Sequence, residues 1–99
     1  MAALIPTLHI AALGDQARTF SLPIAHRLRL AGIRTELEHR DTGLKAQLKR
    51  ADALRARLAL IVGDNELASG KLILRDLTTR QQSEVTADEL EARVRQAMD

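Results

Sequence analysis

The densest potential chemistry in this chain is the acidic elbow Gly63-Asp64-Asn65-Glu66, which follows the apolar run Leu58 to Val62. Two carboxylates at the mouth of a buried strand could share a proton in acid–base work, cap a turn, or accept hydrogen bonds from a ligand. Catalysis would also need a partner base, an electrophile or a cofactor loop, and the sequence shows none. His9, His26 and His39 are far apart and lack metal-ligand spacing, so they read as surface or internally satisfied histidines. Ser21, Ser69 and Ser83 stand in no nucleophile elbow. The chain has no cysteine, which excludes thiolate catalysis, disulfides and Cys-based zinc sites. Neither G-x-G-x-x-G nor G-x-x-x-x-G-K occurs. The expectation is therefore a chain that is not itself an enzyme and holds no cofactor or metal.

The second group of interest is cationic. Lys45, Lys49 and Arg50 fall on one stretch, and Leu48 to Arg57 is strongly one-signed. Such residues form either a phosphate-binding stripe or a solvated helix face. The overall balance is only mildly basic, with 15 Lys and Arg against 13 Asp and Glu. Phe20 is the only aromatic residue. Base recognition by stacking on aromatic platforms is thus excluded, leaving hydrogen bonds, arginine planes and aliphatic contacts.

Positioning these residues requires a scaffold, and 99 residues suit one domain over 1–99. Leu8 to Leu13 reads as a first buried strand closed by Gly14, with Asp15 as a helix cap. Ala17, Phe20, Ile24, Leu28 and Ala31 recur at helical steps, which puts Phe20 in the core. Pro23 implies either a kink or a helix whose regular part starts at Ser21, and Gly32 ends it. Arg34 to Arg40 is a polar-rich edge strand. Leu44, Leu48, Ala51 and Leu54 mark a second helix. Leu58 to Val62 is a central strand covered on both faces. A turn region spans 63–70, Lys71 to Leu77 is a fourth strand, and Gln82 to Thr86 a fifth. A final helix runs from Ala87 to Met98, capped by Thr86. Two right-handed crossovers make the first three strands parallel, and a short link makes the fourth antiparallel. The fold class is α/β: a three-layer α/β/α sandwich on a five-stranded mixed sheet in the order βαβαββα. Ligands of such sheets usually sit outside the strands' carboxyl ends, where the acidic elbow lies. The apolar N-terminal stretch is short and lacks a basic leader region, and no apolar run could span a bilayer, so a cytoplasmic location is expected, with no membrane partner.

In order and spacing, Leu28 to Ile33 (LRLAGI), Leu44 to Leu54 (LKAQLKRADAL), Leu60 to Leu77 (LIVGDNELASGKLILRDL) and Thr78 to Gln82 (TTRQQ) form a series over nearly the whole chain. It resembles the C-terminal anticodon-binding domain of class IIa aminoacyl-tRNA synthetases, most of all that of histidyl-tRNA synthetase. The resemblance implies a mixed five-stranded sheet with an antiparallel fourth strand. It also implies a surface that holds a tRNA anticodon stem-loop, in the first instance that of histidine tRNA. Asp64 and Glu66 match the family's acids after the third strand, Arg75 its basic position on the fourth, and Gln82 the glutamine that follows. Lys45 and Lys49 match basic positions of the second helix. Two departures add charge: the family usually has glycine where Arg55 and Arg80 stand. If the family needs a positive φ at the first of these, this chain must accommodate the turn differently.

For each residue a structural reading stands beside the functional one. Glu66 either accepts from a base edge or caps its turn. Arg75 either reaches a base or phosphate or pairs with Asp76 or Glu84 across a strand. Gln82 reads as a structural residue or a backbone contact. No catalytic domain or class II aminoacylation motif is present, so an excised domain or a free-standing paralogue is expected. The leading function is tRNA anticodon stem-loop binding. The alternative is a protein-interaction or regulatory paralogue that has lost tRNA binding, with a protein partner or a homodimer. A small-molecule site at the strand ends ranks last.

Overall fold

The computed structural model describes residues 6–98. The elements are β1 (Leu8–Ala12), α1 (Asp15–Leu30), β2 (Thr35–Leu37), α2 (Leu44–Ala53), β3 (Leu58–Val62), α3 (Asp64–Ser69), β4 (Leu72–Asp76), β5 (Gln82–Val85) and α4 (Leu90–Met98). The five-stranded sheet has the order β2-β1-β3-β4-β5. β2 and β3 flank β1 in parallel, whereas β4 and β5 are antiparallel neighbours. The α/β/α sandwich and the mixed sheet are as the pattern implied, with β2 on an edge.

Strand alternation sorts the two faces. Leu8, Ile10 and Ala12 of β1 and Leu58, Leu60 and Val62 of β3 share one apolar core with Ala17, Ile24 and Leu28 of α1 and Leu90 and Val94 of α4. Ala59 points the other way and packs with Ala51, Ala56 and Leu77. So α1 and α4 cover one face, and α2 covers the β1–β3 part of the other. Every residue of β1 and β3 is buried, as expected of strands sandwiched between helices.

Five local readings need correction. The stretch 63–70 is not only a turn: Asp64–Ser69 form α3, closed by Gly70 in the left-handed conformation. Asp15 does not cap α1. Gly14 occupies that position and Asp15 begins the helix, where its carboxylate still favours the positive helix end and pairs with Arg18. α1 starts at Asp15 and runs through Pro23, so its regular part does not start at Ser21. Pro23 and Thr19 are both exposed, so the carbonyl that loses its N–H partner reaches water. Phe20 is 38% exposed, not core, because it sits on the flank of a stripe centred on Ser21, Ala17 and Leu28. His9 is neither a surface nor a satisfied histidine. It is fully buried, neither ring nitrogen has a hydrogen-bond partner among the described residues, and its Nε2 lies 3.8 Å from Glu38 Oε1.

The helix ends are specified locally. At the end of α1, Gly32 N–H donates to Arg29 O (3.0 Å) and Ile33 N–H to Leu28 O (2.9 Å), the paired bonds of a Schellman stop. α2 ends the same way, with Arg55 N–H donating to Asp52 O (3.0 Å) and Ala56 N–H to Ala51 O (3.0 Å). The left-handed residue there is Arg55, at φ 62°. The turn is therefore not accommodated differently in this chain: an arginine takes the glycine conformation. The regular part of α4 begins at Leu90, after a turn in which Thr86 and Glu89 cap each other: Glu89 N–H donates to Thr86 Oγ1 (3.3 Å) and Thr86 N–H to Glu89 Oε1 (3.0 Å).

Candidate nucleic-acid interface

The acidic elbow is built by a change of direction. β3 delivers Gly63, whose N–H donates to Glu66 Oε1 at 2.8 Å, while its carbonyl accepts the first α3 bond from Leu67 N–H at 2.9 Å. Glu66 is therefore a cap, and Oε2 accepts no hydrogen bond among the described residues. A Cβ at Gly63 would sit 3.0 Å from Glu66 Oε1 and 3.3 Å from Leu13 Cδ1. Any larger residue would press the Glu66 carboxylate and the Leu13 side chain back by a few tenths of an ångström. Asp64, in the first turn of α3, is exposed.

α2 is seated by a residue that the analysis of the sequence passed over. Gln47 is fully buried, and its Nε2 donates to Ala12 O (2.9 Å) and Thr42 O (2.7 Å). These bonds tie α2 to the end of β1 and to the preceding loop. The signal was its place in the LKAQLK string, at core spacing from Ala51. From this seat the cations diverge. Asp52 meets Arg80 of the β4–β5 hairpin at 3.6 Å, which identifies the flank of α2 turned toward β4. Lys45, seven residues earlier, shares that flank. Lys49 and Arg50 instead border a cleft of about 250 Å³ on the β2 flank, with Glu38, Arg40 and Thr42. Arg50 Nε lies 3.7 Å from Glu38 Oε1, so its charge is partly committed. Lys45 and Lys49 are exposed and make no ion pair among the described residues.

Arg75 and Gln82 are register partners on β4 and β5, opposite Ala59 of β3. Arg75 Nη1 donates to Gln82 Oε1 at 3.4 Å, rather than pairing with Asp76 or Glu84. Both residues are on the α2 face. They lie roughly 10 Å along the sheet from the end of β3, at about 3.3 Å per residue. Their neighbours Ile73 and Glu84 are also only partly covered or exposed, and no described helix lies over this half of the face. An open sheet surface results, with Lys45 on one side, the hairpin at one end and the Asp64–Glu66 elbow at the other. The fold thus brings Lys45, Asp64, Glu66, Arg75 and Gln82 around one surface; Lys49, four residues after Lys45 and three before Asp52, stands on the outer crest of α2, and Arg50 lies on the β2 flank. The surface is broad, shallow and lined by hydrogen-bonding and cationic groups. It suits an unstacked nucleic-acid segment better than an enclosed small molecule. Among the described residues no three His, Asp or Glu side chains converge as metal ligands. No described helix is long and apolar enough to cross a membrane.

The buried histidine lies beneath α2. Burial holds the His9 imidazole below its ordinary pKa, against the opposing pull of Glu38 and Glu36. The Glu89 carboxyl is also held below its usual range, by the hydrogen bonds it accepts from Thr86.

A five-stranded mixed sheet of this order between helices, with one half-face uncovered, defines an α/β domain of the anticodon-binding type. Residues 7–97 match the anticodon binding domain family, and the chain belongs to it. It is 38% identical over 90 residues to a histidine–tRNA ligase of Caldanaerobacter subterraneus subsp. tengcongensis, covering 91% of this chain and 22% of that protein. It is 40% identical over 81 residues to the histidine–tRNA ligase of Bacillus subtilis, covering 82% of this chain and 19% of that protein. In three dimensions it superposes on the histidyl-tRNA synthetase of Nostoc sp. PCC 7120 with a TM-score of 0.90 at 24% identity, covering 97% of this chain and 23% of that one. Apo histidyl-tRNA synthetase of S. aureus gives a TM-score of 0.83 at 29% identity, covering 90% of this chain and 23% of that one. The chain thus spans about a fifth of the length of the curated relatives it matches.

Proposed function

We propose that this chain, acting as one domain over residues 1–99, binds the anticodon stem-loop of a tRNA, histidine tRNA in the first instance, in the cytoplasm and without itself catalysing aminoacylation. The observation that carries this reading is the family match over residues 7–97. The open half-face supports it with suitable groups. Glu66 can accept from a base edge with Oε2 while Oε1 holds the cap. Arg75 and Gln82 offer donors along β4 and β5. Lys45 and Asp64 border the same surface, and Lys49 and Arg50 extend positive charge over the crest of α2 toward β2. Ligase activity is named for the longer relatives, of which this chain spans about a fifth.

The test is titration of the 99-residue chain with histidine tRNA and with the same tRNA carrying altered anticodon bases, at two salt concentrations. Tighter binding to the native anticodon is expected, with affinity falling as salt rises. No binding at low salt would refute the reading.

A second reading, docking of a protein partner or a second copy, draws on α1, where Leu22 is 56% and Leu30 76% exposed. Sedimentation as a monomer, with no protein co-purifying, would count against it.

A further inference from the structure

At the end of β3 opposite the acidic elbow, two non-glycine residues take the left-handed backbone conformation: Arg55 (φ 62°) and Arg80 (φ 68°). That conformation strains any L side chain and is relieved by glycine. Both residues are arginines, and both are exposed. Arg55 ends α2, and Arg80 closes the β4–β5 hairpin, its N–H donating to Asp76 O at 2.8 Å. The two loops lie side by side. Leu77 N–H donates to Arg57 O at 2.9 Å, and Arg80 Nη1 lies 3.6 Å from Asp52 Oδ2, one helical turn before Arg55. Arg57 adds a third exposed guanidinium.

The nearby acids do not neutralise this group. Asp76 Oδ1 is occupied by Thr78 N–H (2.8 Å) and Thr79 N–H (3.1 Å). Asp52 is one exposed carboxylate, and among the described residues it pairs with Arg80 alone. The side chains of Arg55 and Arg57 make no hydrogen bond or ion pair among the described residues. No contact within the described residues accounts for an arginine at position 55, and the single exposed ion pair of Arg80 with Asp52 is of the kind that contributes little to stability. Backbone strain retained at an exposed side chain points to a role outside the fold.

We propose that Arg55, Arg57 and Arg80 form a clamp for the phosphodiester backbone of RNA at the amino end of β3. Planar guanidiniums donate in pairs to phosphate oxygens, which a lysine ammonium does not match. The position continues the open face past Arg75 and Gln82, so a strand lying on that face would run its backbone onto the hairpin. The contact is to phosphate and carries no base preference. This inference rests on the RNA reading above, and it adds residues that reading did not use.

The test compares the full chain with R55G, R80G and R55G/R80G. Glycine removes the side chain and relieves the strain, so these variants keep or raise the unfolding midpoint. Affinity is read against salt for the native stem-loop and for one with altered anticodon bases. The slope of log K against log salt should shrink by about 0.7–0.9 per arginine lost, equally for both RNAs. R55K/R80K should restore much of the slope but not the full affinity. A double variant with unchanged slope and affinity would overturn the clamp while leaving the anticodon reading intact. Failure of the unmodified chain to bind RNA would overturn both. Unchanged RNA binding with lost binding to polyglutamate would reassign the arginines to an acidic protein partner.

Discussion

Replacing Arg55 by glycine should stabilise this protein. The left-handed backbone at φ 62° costs a non-glycine residue about 1–2 kcal/mol. Glycine gives back about 0.5–1 kcal/mol through the greater freedom of the unfolded chain. The Arg55 side chain is exposed and has no partner among the described residues, so its removal loses no contact. The net expectation is a gain of about 0.5–1 kcal/mol, with the Schellman bonds at the end of α2 preserved. In urea this should raise the midpoint by roughly 0.5 M at unchanged m. The thermal midpoint should rise by about 2–8 °C, given 4–8 °C per kcal/mol for a domain of this size. Alanine at the same position is the control. It deletes the charge near Arg57 and Arg80 but keeps a Cβ, and so keeps the strain. If R55A stabilises as much as R55G, the gain comes from relieved charge repulsion and the backbone argument is wrong. If R55G is neutral or destabilising, the left-handed backbone at this position is not strained by its side chain, and the reasoning is refuted.

Other perturbations test other parts of the structure. Gly63→Ala should crowd the Glu66 carboxylate and weaken its bond to the residue-63 N–H, costing about 0.5–1 kcal/mol, and a urea midpoint equal to wild type would show that the elbow relaxes freely. Glu66→Gln keeps an acceptor for that cap and should lose less than about 1 kcal/mol, yet it should weaken binding of the native anticodon more than that of an altered one; an equal loss for both would remove Glu66 from base recognition. Gln47→Leu strips a donor from Ala12 O and Thr42 O and should cost about 2 kcal/mol, seen as lowered protection from hydrogen exchange across α2. The buried imidazole of His9 sets a pH dependence. Its folded pKa lies below 6.5, so the unfolded chain binds the proton first as pH falls. The His9 contribution is fully present above 6.5 and is lost as pH drops below it toward the folded value. His9→Leu should flatten the urea-midpoint profile between pH 7.5 and 5, and an unchanged profile would show that the imidazole is not the titrating group.

Much of the scaffold was legible because its signals are local. The short, unbroken apolar run Leu58 to Val62 has the length and composition of a covered strand, and Gly32 stopped α1 through a backbone conformation that glycine alone adopts without strain. Thr86 and Glu89, three residues apart, announced their mutual cap. The residues around the open surface were legible mainly through their resemblance to a family, since Asp64, Arg75 and Gln82 carry no pattern of their own. Where local signals conflicted with packing, packing decided. Phe20 kept helical spacing with Ala17 and Ile24, yet the sheet met a stripe centred on Ser21, and the ring was left at the rim.

The order of the elements, the absence of thiolate or phosphate-loop chemistry, and the excess of arginine around α2 follow from the chain alone, because each depends on residue type or on neighbours a few positions away. The tertiary structure decided which groups meet. Strand register set Arg75 against Gln82 instead of an acid. The pleat turned His9 inward beneath α2, beside Glu38. The seating of α2 turned Arg50 toward Glu38 and β2 and left Lys45 and Lys49 on its outer face. The meeting of two loops placed Arg55 beside Arg80, residues 25 positions apart in sequence. Such outcomes depend on contacts between distant segments, and no window of sequence contains both partners.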